Sequence, residues 1–464
     1  MPPTEHYDIL IIGSGEASKY LAWSMASAGQ HTAVVERKLI GGSCPNIACL
    51  PSKNIIHGAK VAAFARRAAE FGLEGGPLST NMEGVRHRKQ KMVDGLIELH
   101  LDRFKASGAE LVMGEARFVG ERTAEIRLND GGERVIAGER VFLNLGTRAS
   151  IPDVPGLAAA RPMTHVDALE LDRLPGHLVV MGGGYVGLEF AQAIRRFGSR
   201  VTVIEMGAQL LPREDTDVGS ALFQLFHDEG IEVLLNTSIV KAEGRSGQEV
   251  SVRIDGDGGQ RDVAGTDLLV AVGRTPNTDG VGLSEAGVAL DSRGYIAVNE
   301  RLETGAANVW AMGECAGSPQ FTHAAFDDFR IIRDNLRGGN RTTRDRLIPS
   351  CMFTDPEVVR VGLNESEARR RGTKYRLAGM PIANVLRTRT VSEPRGFMKM
   401  LVAADSDRIL GFTAFGVEAS ELLAAVQTAM LGSLPYTTLR DGIFTHPTIS
   451  EGFGALLTNL RAAD

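Results

Sequence analysis

The stretch Tyr7-Asp8-Ile9-Leu10-Ile11-Ile12-Gly13-Ser14-Gly15-Glu16-Ala17-Ser18 runs from an apolar strand into a glycine turn. An Ala/Leu-rich helical segment follows, then a second apolar run, Ala33-Val34-Val35-Glu36, that closes on an acid. Strand, glycine turn, helix, strand, acid is the order of a dinucleotide-binding unit. Gly13 and Gly15 let the backbone turn tightly and approach a pyrophosphate. The helix start around Ser14, Ala17 and Ser18 favours its negative charge, and Glu36 is placed to hydrogen-bond a ribose hydroxyl. Ser18 stands where a third glycine is usual, and its side chain is small enough for helix–strand packing.

The same construction returns mid-chain. His177-Leu178-Val179-Val180-Met181 is the strand and Gly182-Gly183-Gly184-Tyr185-Val186-Gly187 the turn. Leu188 to Phe197 is the helix, and Val201-Thr202-Val203-Ile204-Glu205 the second strand with its acid. Glu205 follows Gly182 at the spacing at which Glu36 follows Gly13. A lone glycine turn is often only a turn. Two copies with matched acids point to two dinucleotides on one chain. An acid at the second site suits a free 2′-hydroxyl and repels a 2′-phosphate, so NADH is expected over NADPH, with Arg213 the nearby basic residue that could oppose this.

The chain of 464 residues has room for about three domains. Its 43% hydrophobic content suits ordinary packed cores, and its formal charge of -6 gives no electrostatic case for nucleic acid or an anionic membrane surface. No apolar run is long enough to span a bilayer. The start, Met1-Pro2-Pro3-Thr4-Glu5-His6, has neither the basic nor the apolar region of a signal peptide, so a cytoplasmic location is expected. A disulfide there is more often catalytic than structural.

The motifs divide the chain into 1–152, with the first nucleotide unit; 153–275, with the second; 276–344, in which Asn308-Val309-Trp310-Ala311-Met312 runs into Gly313-Glu314 as a strand returning to the first unit; and 345–464, which has no nucleotide motif. Val141-Phe142-Leu143-Asn144-Leu145-Gly146-Thr147 is a strand ending in a small-residue turn where the chain leaves the first unit. The last part carries strand-like runs at 396–402 and 408–415 and an amphipathic helix near 422–431.

Two of the four cysteines lie in Gly41-Gly42-Ser43-Cys44-Pro45-Asn46-Ile47-Ala48-Cys49-Leu50-Pro51-Ser52-Lys53. Such a pair by itself is usually two buried small residues. No second Cys or His pair stands at ligand spacing, so zinc does not fit and no metal is expected. Next to a nucleotide fingerprint and a helix start, which depresses thiol pKa values, the pair reads as a redox disulfide.

On these motifs, together with Val272-Gly273-Arg274-Thr275-Pro276-Asn277 and the closing His446-Pro447-Thr448-Ile449-Ser450-Glu451, the whole chain resembles the class I pyridine nucleotide-disulfide oxidoreductases. Glutathione reductase, dihydrolipoamide dehydrogenase and the mercuric reductase core belong to that family. The resemblance implies an α/β chain with two Rossmann-like domains, one for FAD and one for NAD, a return to the FAD domain, and a C-terminal α+β domain that forms a homodimer. It implies that Cys44 is the thiol that attacks the substrate and that Cys49 lies against the flavin and forms its charge-transfer thiolate. Lys53 sits near the flavin and pairs with Glu189, and Tyr185 covers the nicotinamide site. His446, oriented by Glu451, serves as acid–base across the dimer interface, a role that suits a residue type titrating near neutrality. Gly42, Ser43, Gly146, Thr147, Gly182, Gly184, Gly187, Gly273, Gly313, Glu314, Thr322 and Ala324 complete the implied cofactor contacts.

Glu314 departs from the family's usual Asp, and its longer side chain reaches the flavin's ribityl chain only through a shift. Cys315 reads as a buried inert cysteine, while His323 either tunes the flavin or packs.

The implied reaction passes electrons from NADH through FAD to the Cys44–Cys49 disulfide and on to a small disulfide or related acceptor. A metal-ion or small-oxidant reductase is the alternative, favoured by the mercuric-reductase-like cysteine run. The absence of a terminal cysteine pair and of an N-terminal metal-binding domain weighs against it. Dihydrolipoamide dehydrogenase, running the reaction in reverse, comes next, and a non-enzymatic redox sensor is the weakest reading.

Overall fold

The structure is a computed structural model that describes residues 2–76 and 78–462. The first glycine-turn unit builds a six-stranded sheet. Strand Thr4–Ile12 lies at its centre, parallel to Thr32–Glu36 on one side and to Glu133–Leu143 on the other. Strand Val309–Ala311 joins the same sheet beside Glu133–Leu143, so the chain comes back here after the second unit. Ile9, Leu10 and Ile11 are fully buried, as a strand covered on both faces requires. Strand Thr4–Ile12 begins three residues before the apolar run, because the mixed segment Thr4-Glu5-His6 continues the ladder with 135–137.

The second unit is a four-stranded parallel sheet in the order Asp267–Val270, His177–Met181, Arg200–Ile204, Glu232–Leu234. Helix Tyr185–Phe197 covers it, burying Leu188, Ala191 and Ile194. These recur three residues apart and keep one face of the helix on the sheet. The helix starts at the glycine turn itself, three residues earlier than the sequence suggests, so Tyr185 is its first residue. Two short antiparallel strands, Thr147–Ala149 and Arg274–Pro276, link the first and second sheets.

The last part of the chain forms a largely antiparallel sheet of six strands, among them Ser350–Met352, Glu357–Gly362, Phe397–Ala403 and Ile409–Gly416. Helix Ala419–Leu431 lays Leu422, Val426 and Ala429 against Val359, Val361 and Phe412 of this sheet. No helix among the described residues is long and apolar enough to cross a membrane.

Candidate active site

Both glycine turns are built alike. Gly13 has φ +93°, and a Cβ there would lie 2.4 Å from the Asn144 carbonyl oxygen; Gly182 has φ +113°, and its Cβ would lie 2.6 Å from the Ala271 oxygen. Each turn therefore presses on the end of a neighbouring strand where no side chain fits. The helices that follow, Glu16–Ala26 and Tyr185–Phe197, begin at Gly15 and Gly184 with no side-chain cap. Their first N–H groups are left free for an anion.

The acids also brace the turns. Glu36 Oε2 accepts from Ser14 N and Oγ at 2.9 and 2.8 Å, and Oε1 accepts from Lys38 N and Leu39 N. Glu205 accepts from Gly183 N at 2.6 Å and Gly207 N at 2.7 Å. Ser18, fully buried, donates to Asn144 Oδ1 at 2.9 Å, so the serine in the third glycine position gains a bond rather than merely fitting.

A cavity of about 2090 Å³ runs from the first turn to the second. Gly13, Gly15, Glu36, Gly42 and Ser43 line one part, together with both cysteines; Gly182, Gly184, Tyr185 and Glu205 line another. Lys53, Gly146, Glu189, Gly273, Gly313, Glu314 and Thr322 lie between. Two uncapped helix starts, two braced acids and this volume suit two dinucleotides.

Several residues expected on the cavity wall stand one layer behind it. Ser14, Ala17 and Ser18 are buried under the first turn, and Gly187 sits so close beneath Gly182 that its Cβ would be 2.2 Å from the Gly182 oxygen. Thr147 is buried and spends its hydroxyl on Glu314. Ala324 is buried on the inner face of helix Thr322–Leu336, and Ala325 lines the cavity in its place.

Cys44 lies in the short helix Ser43–Ile47, and Cys49 is the first residue of the long helix Cys49–Arg66. Their sulfurs are not bonded to each other in the structure. Interaction with the neighbouring Cys44 thiol is the main cause that lowers the Cys49 thiol; Thr322 and the Lys53 charge act in the same direction, against burial. The Thr322 hydroxyl is 3.3 Å from the Cys49 sulfur. The same interaction with Cys49, with burial, pushes Cys44 up. The two thiols are thus driven apart, Cys49 toward the anion and Cys44 toward the protonated form. The helix start at Cys49 favours the same assignment.

Lys53 Nζ lies 2.7 Å from Glu189 Oε2 and 4.9 Å from the centre of the Phe353 ring. Glu189 Oε1 accepts from Phe353 N at 2.8 Å. The arrangement joins residues from the first, second and last parts of the chain.

His446 Nδ1 is 2.7 Å from Glu451 Oε2, and the imidazole is 65% exposed. Neither residue lines the cavity, so the chain by itself does not bring this pair to the thiols. Cys315 is buried, accepts from Leu145 N at 3.3 Å, and is pushed up to about 11 by burial. His323 Nε2 is 2.9 Å from the Pro349 oxygen, and its ring stacks on Phe321.

Glu314 Oε2 accepts from Thr147 Oγ1 and pairs with Arg274 at 3.3 Å. Its Oε1 has no hydrogen bond among the described residues. Sequence reasoning missed Arg274 in this role. It also missed Asn144, whose Nδ2 donates to Met312 O at 2.7 Å and whose Oδ1 serves Ser18. An asparagine inside the apolar run 141–145 was the available signal.

The family model described as pyridine nucleotide-disulphide oxidoreductase matches residues 7–328, and its dimerisation domain matches residues 348–457. The chain is 35% identical over 460 residues to the probable pyridine nucleotide-disulfide oxidoreductase RclA of Escherichia coli (strain K12), covering 98% of this chain and 99% of that one. It is 32% identical over 447 residues to a mercuric reductase of Acidithiobacillus ferrooxidans, covering 96% and 81%. It is 33% identical over 455 residues to a dihydrolipoyl dehydrogenase of Thermus scotoductus, covering 96% and 95%. A solved structure described as the Cu(II) complex of HOCl-induced flavoprotein disulfide reductase RclA from Escherichia coli superposes with a TM-score of 0.89 at 33% identity, covering 98% and 99%.

Proposed function

The chain belongs to the pyridine nucleotide-disulphide oxidoreductase family, and we propose that within it the protein is an NADH-dependent reductase of small disulfides working through Cys44 and Cys49. Flavin-dependent oxidoreduction with a pyridine nucleotide is the family's chemistry. The disulfide acceptor, the preference for NADH and the residue roles are our reading. The observation that carries it is the thiol pair on the cavity wall: Cys44 and Cys49 line it together with Lys53, and the Thr322 hydroxyl lies 3.3 Å from the Cys49 sulfur.

FAD, when bound, supplies two-electron transfer between a reduced nicotinamide and a disulfide. The chain's own residues do the rest. The first glycine turn and its uncapped helix would hold the pyrophosphate, Glu36 the adenosine ribose, and Glu314, whose Oε1 is free, would hold the ribityl chain. The second turn and Glu205 would hold the pyridine nucleotide. Met206, which follows Glu205, is exposed and uncharged, so nothing adjacent to the acid offsets its repulsion of a 2′-phosphate. Arg213 lies on the same cavity wall and is the residue that could reverse this.

In the reduced protein Cys44 attacks the acceptor disulfide, releasing one thiol and leaving a mixed disulfide. Cys49 then attacks Cys44, releases the second thiol and closes the Cys44–Cys49 disulfide. Cys44 carries its proton at neutral pH because its pKa is raised. It therefore needs a base. His446, oriented by Glu451, suits that task, and its exposure suits delivery to the cavity of a second subunit through the dimerisation domain.

A metal ion is the second reading for the acceptor. Two adjacent soft sulfur donors suit copper or mercury, mercuric reductases are among the relatives, and the superposed RclA structure is a Cu(II) complex. Assaying NADH oxidation anaerobically against uncharged and anionic disulfides, lipoamide, Cu(II) and Hg(II) tests both. Turnover of disulfides that is lost in Cys44→Ser supports the first reading. Turnover of metal ions alone supports the second and rejects the first.

A further inference from the structure

Four chain segments lie side by side at the carboxyl end of the second sheet. Met163 forms an isolated parallel bridge with Leu269 on strand Asp267–Val270. Met163 N donates to Leu268 O at 2.7 Å, and Val270 N donates to Met163 O at 2.9 Å. Leu269 is in turn the register partner of Val180, and Val180 of Val203. Two residues beyond these four partners stand His165, Ala271, Gly182 and Glu205. The glycine turn at Gly182 thus has Glu205 on one side, and Ala271 and then His165 on the other. Neighbouring strands are about 4.8 Å apart, so Glu205 and His165 flank a span of about 14 Å with the turn between them. Ligands of open α/β sheets bind outside this carboxyl end.

His165 is the first residue of helix His165–Ala168, and its neighbours fix the segment. Thr164 Oγ1 accepts from Val166 N at 3.2 Å, and Asp167 Oδ2 accepts from Thr164 N at 2.7 Å. His165 lines the large cavity, yet only 7% of the residue is exposed. Its Nε2 is buried and has no hydrogen-bond partner among the described residues. A buried polar atom without a partner is costly, and a ligand that fills the cavity can supply one. Burial, and then the Arg274 charge, pushes the imidazole down to about 4. The ring is therefore neutral at physiological pH and offers one donor and one acceptor. The thiol chemistry makes no use of it.

We propose that His165 is a further binding residue for the pyridine nucleotide, and that the nicotinamide half of the ligand, through its ribose hydroxyls or its carboxamide, supplies the hydrogen bond that Nε2 lacks. This rests on the reading of the second turn as the pyridine nucleotide site. With the adenosine ribose at Glu205 and the pyrophosphate at Gly182, the other half of an extended dinucleotide runs over Ala271 toward His165. Ribose hydroxyls and a carboxamide both donate and accept, so either tautomer of a neutral imidazole finds a partner there.

The test is calorimetric titration of the oxidised, FAD-loaded protein with NAD⁺, ADP-ribose and ADP, for the wild type, His165→Leu and His165→Gln. The melting temperature of each nucleotide-free protein is measured alongside. His165→Leu is expected to bind NAD⁺ about 3–10-fold more weakly, the scale of one neutral hydrogen bond. It should bind ADP, which lacks the nicotinamide half, as the wild type does. Weaker binding of ADP-ribose puts the bond on the ribose and unchanged binding puts it on the carboxamide; both support the proposal. His165→Gln keeps a donor and an acceptor and stays within about twofold of the wild type. Nucleotide-free His165→Leu should melt no lower than the wild type, because Nε2 has no bond to lose.

Unchanged NAD⁺ affinity in His165→Leu overturns the proposal. So does an equal loss of ADP affinity with a lower melting temperature, which makes the residue structural. Loss of FAD with NAD⁺ affinity retained also overturns it and moves the bond to the flavin. If His165→Leu fails to fold, His165→Phe, which keeps a ring and removes both nitrogens, is titrated with the same expectations. A wild type that binds neither NAD⁺ nor ADP rejects the nucleotide site itself, a different result from a wild type and His165→Leu that bind NAD⁺ equally.

Discussion

Replacing Cys44 by alanine tests the thiol asymmetry directly. Interaction with the Cys44 thiol, as donor to a Cys49 thiolate, is the largest of the influences that lower Cys49, ahead of Thr322 and Lys53. A hydrogen bond to a charged acceptor contributes roughly 1.5–3 kcal/mol. At about 1.4 kcal/mol for each pKa unit, that is about one to two units. Cys49 should therefore titrate about one to two units higher in Cys44→Ala, and its thiolate fraction at pH 7 falls accordingly.

The assay is the pH dependence of alkylation by iodoacetamide in the reduced, oxygen-free protein, with the modified residue identified by mass spectrometry. The rate rises as pH rises through the Cys49 pKa, so the alanine variant moves the midpoint upward. Cys315 and Cys351 are pushed up by burial and stay out of the measurement. Cys44→Ser keeps a donor and should shift the midpoint by less than about one unit. Thr322→Val removes the next donor and should shift it less than Cys44→Ala does. A midpoint in Cys44→Ala unchanged from the wild type, or a larger shift in Thr322→Val, would refute the account of how this thiolate is made.

Cofactor choice should follow Glu205: kcat/KM is expected to be higher with NADH, and a higher value with NADPH would point to Arg213 as a phosphate ligand. His446→Gln should leave flavin reduction by NADH nearly intact and slow the thiol–acceptor half by about 10²–10⁴-fold in stopped-flow measurements, with Glu451→Gln weaker in the same sense; a variant impaired mainly in flavin reduction would make His446 structural. Sedimentation should find a homodimer, and a fully active monomer would contradict the delivery of His446 from a second subunit. At Gly42, which has φ +80°, a Cβ would lie 2.5 Å from Gly15 Cα, so Gly42→Ala should separate the cysteine segment from the first turn and lower FAD retention on gel filtration; full flavin occupancy in that variant would mean the approach is not needed.

Much of this protein is legible locally. A strand run, a turn that only glycine can make, a helix and an acid occupy about thirty residues, and backbone sterics and periodicity act over that range. The two nucleotide units, the cysteine pair between them and the late strands and helix therefore followed from the sequence and its resemblance, with small errors at element starts such as Tyr185 and Thr4.

What the tertiary structure alone decided are relations between residues far apart in the chain. Thr322 beside Cys49, Phe353 closing the Lys53–Glu189 pair, Asn144 under the first glycine turn and Arg274 on Glu314 all join segments that no periodicity connects. The resemblance already implied that Cys49 is the thiolate; what packing adds is the set of groups around it. A thiol's pKa is set by burial and by charges and donors within a few ångströms, and which groups come that close is determined only when three parts of the chain pack around one cavity.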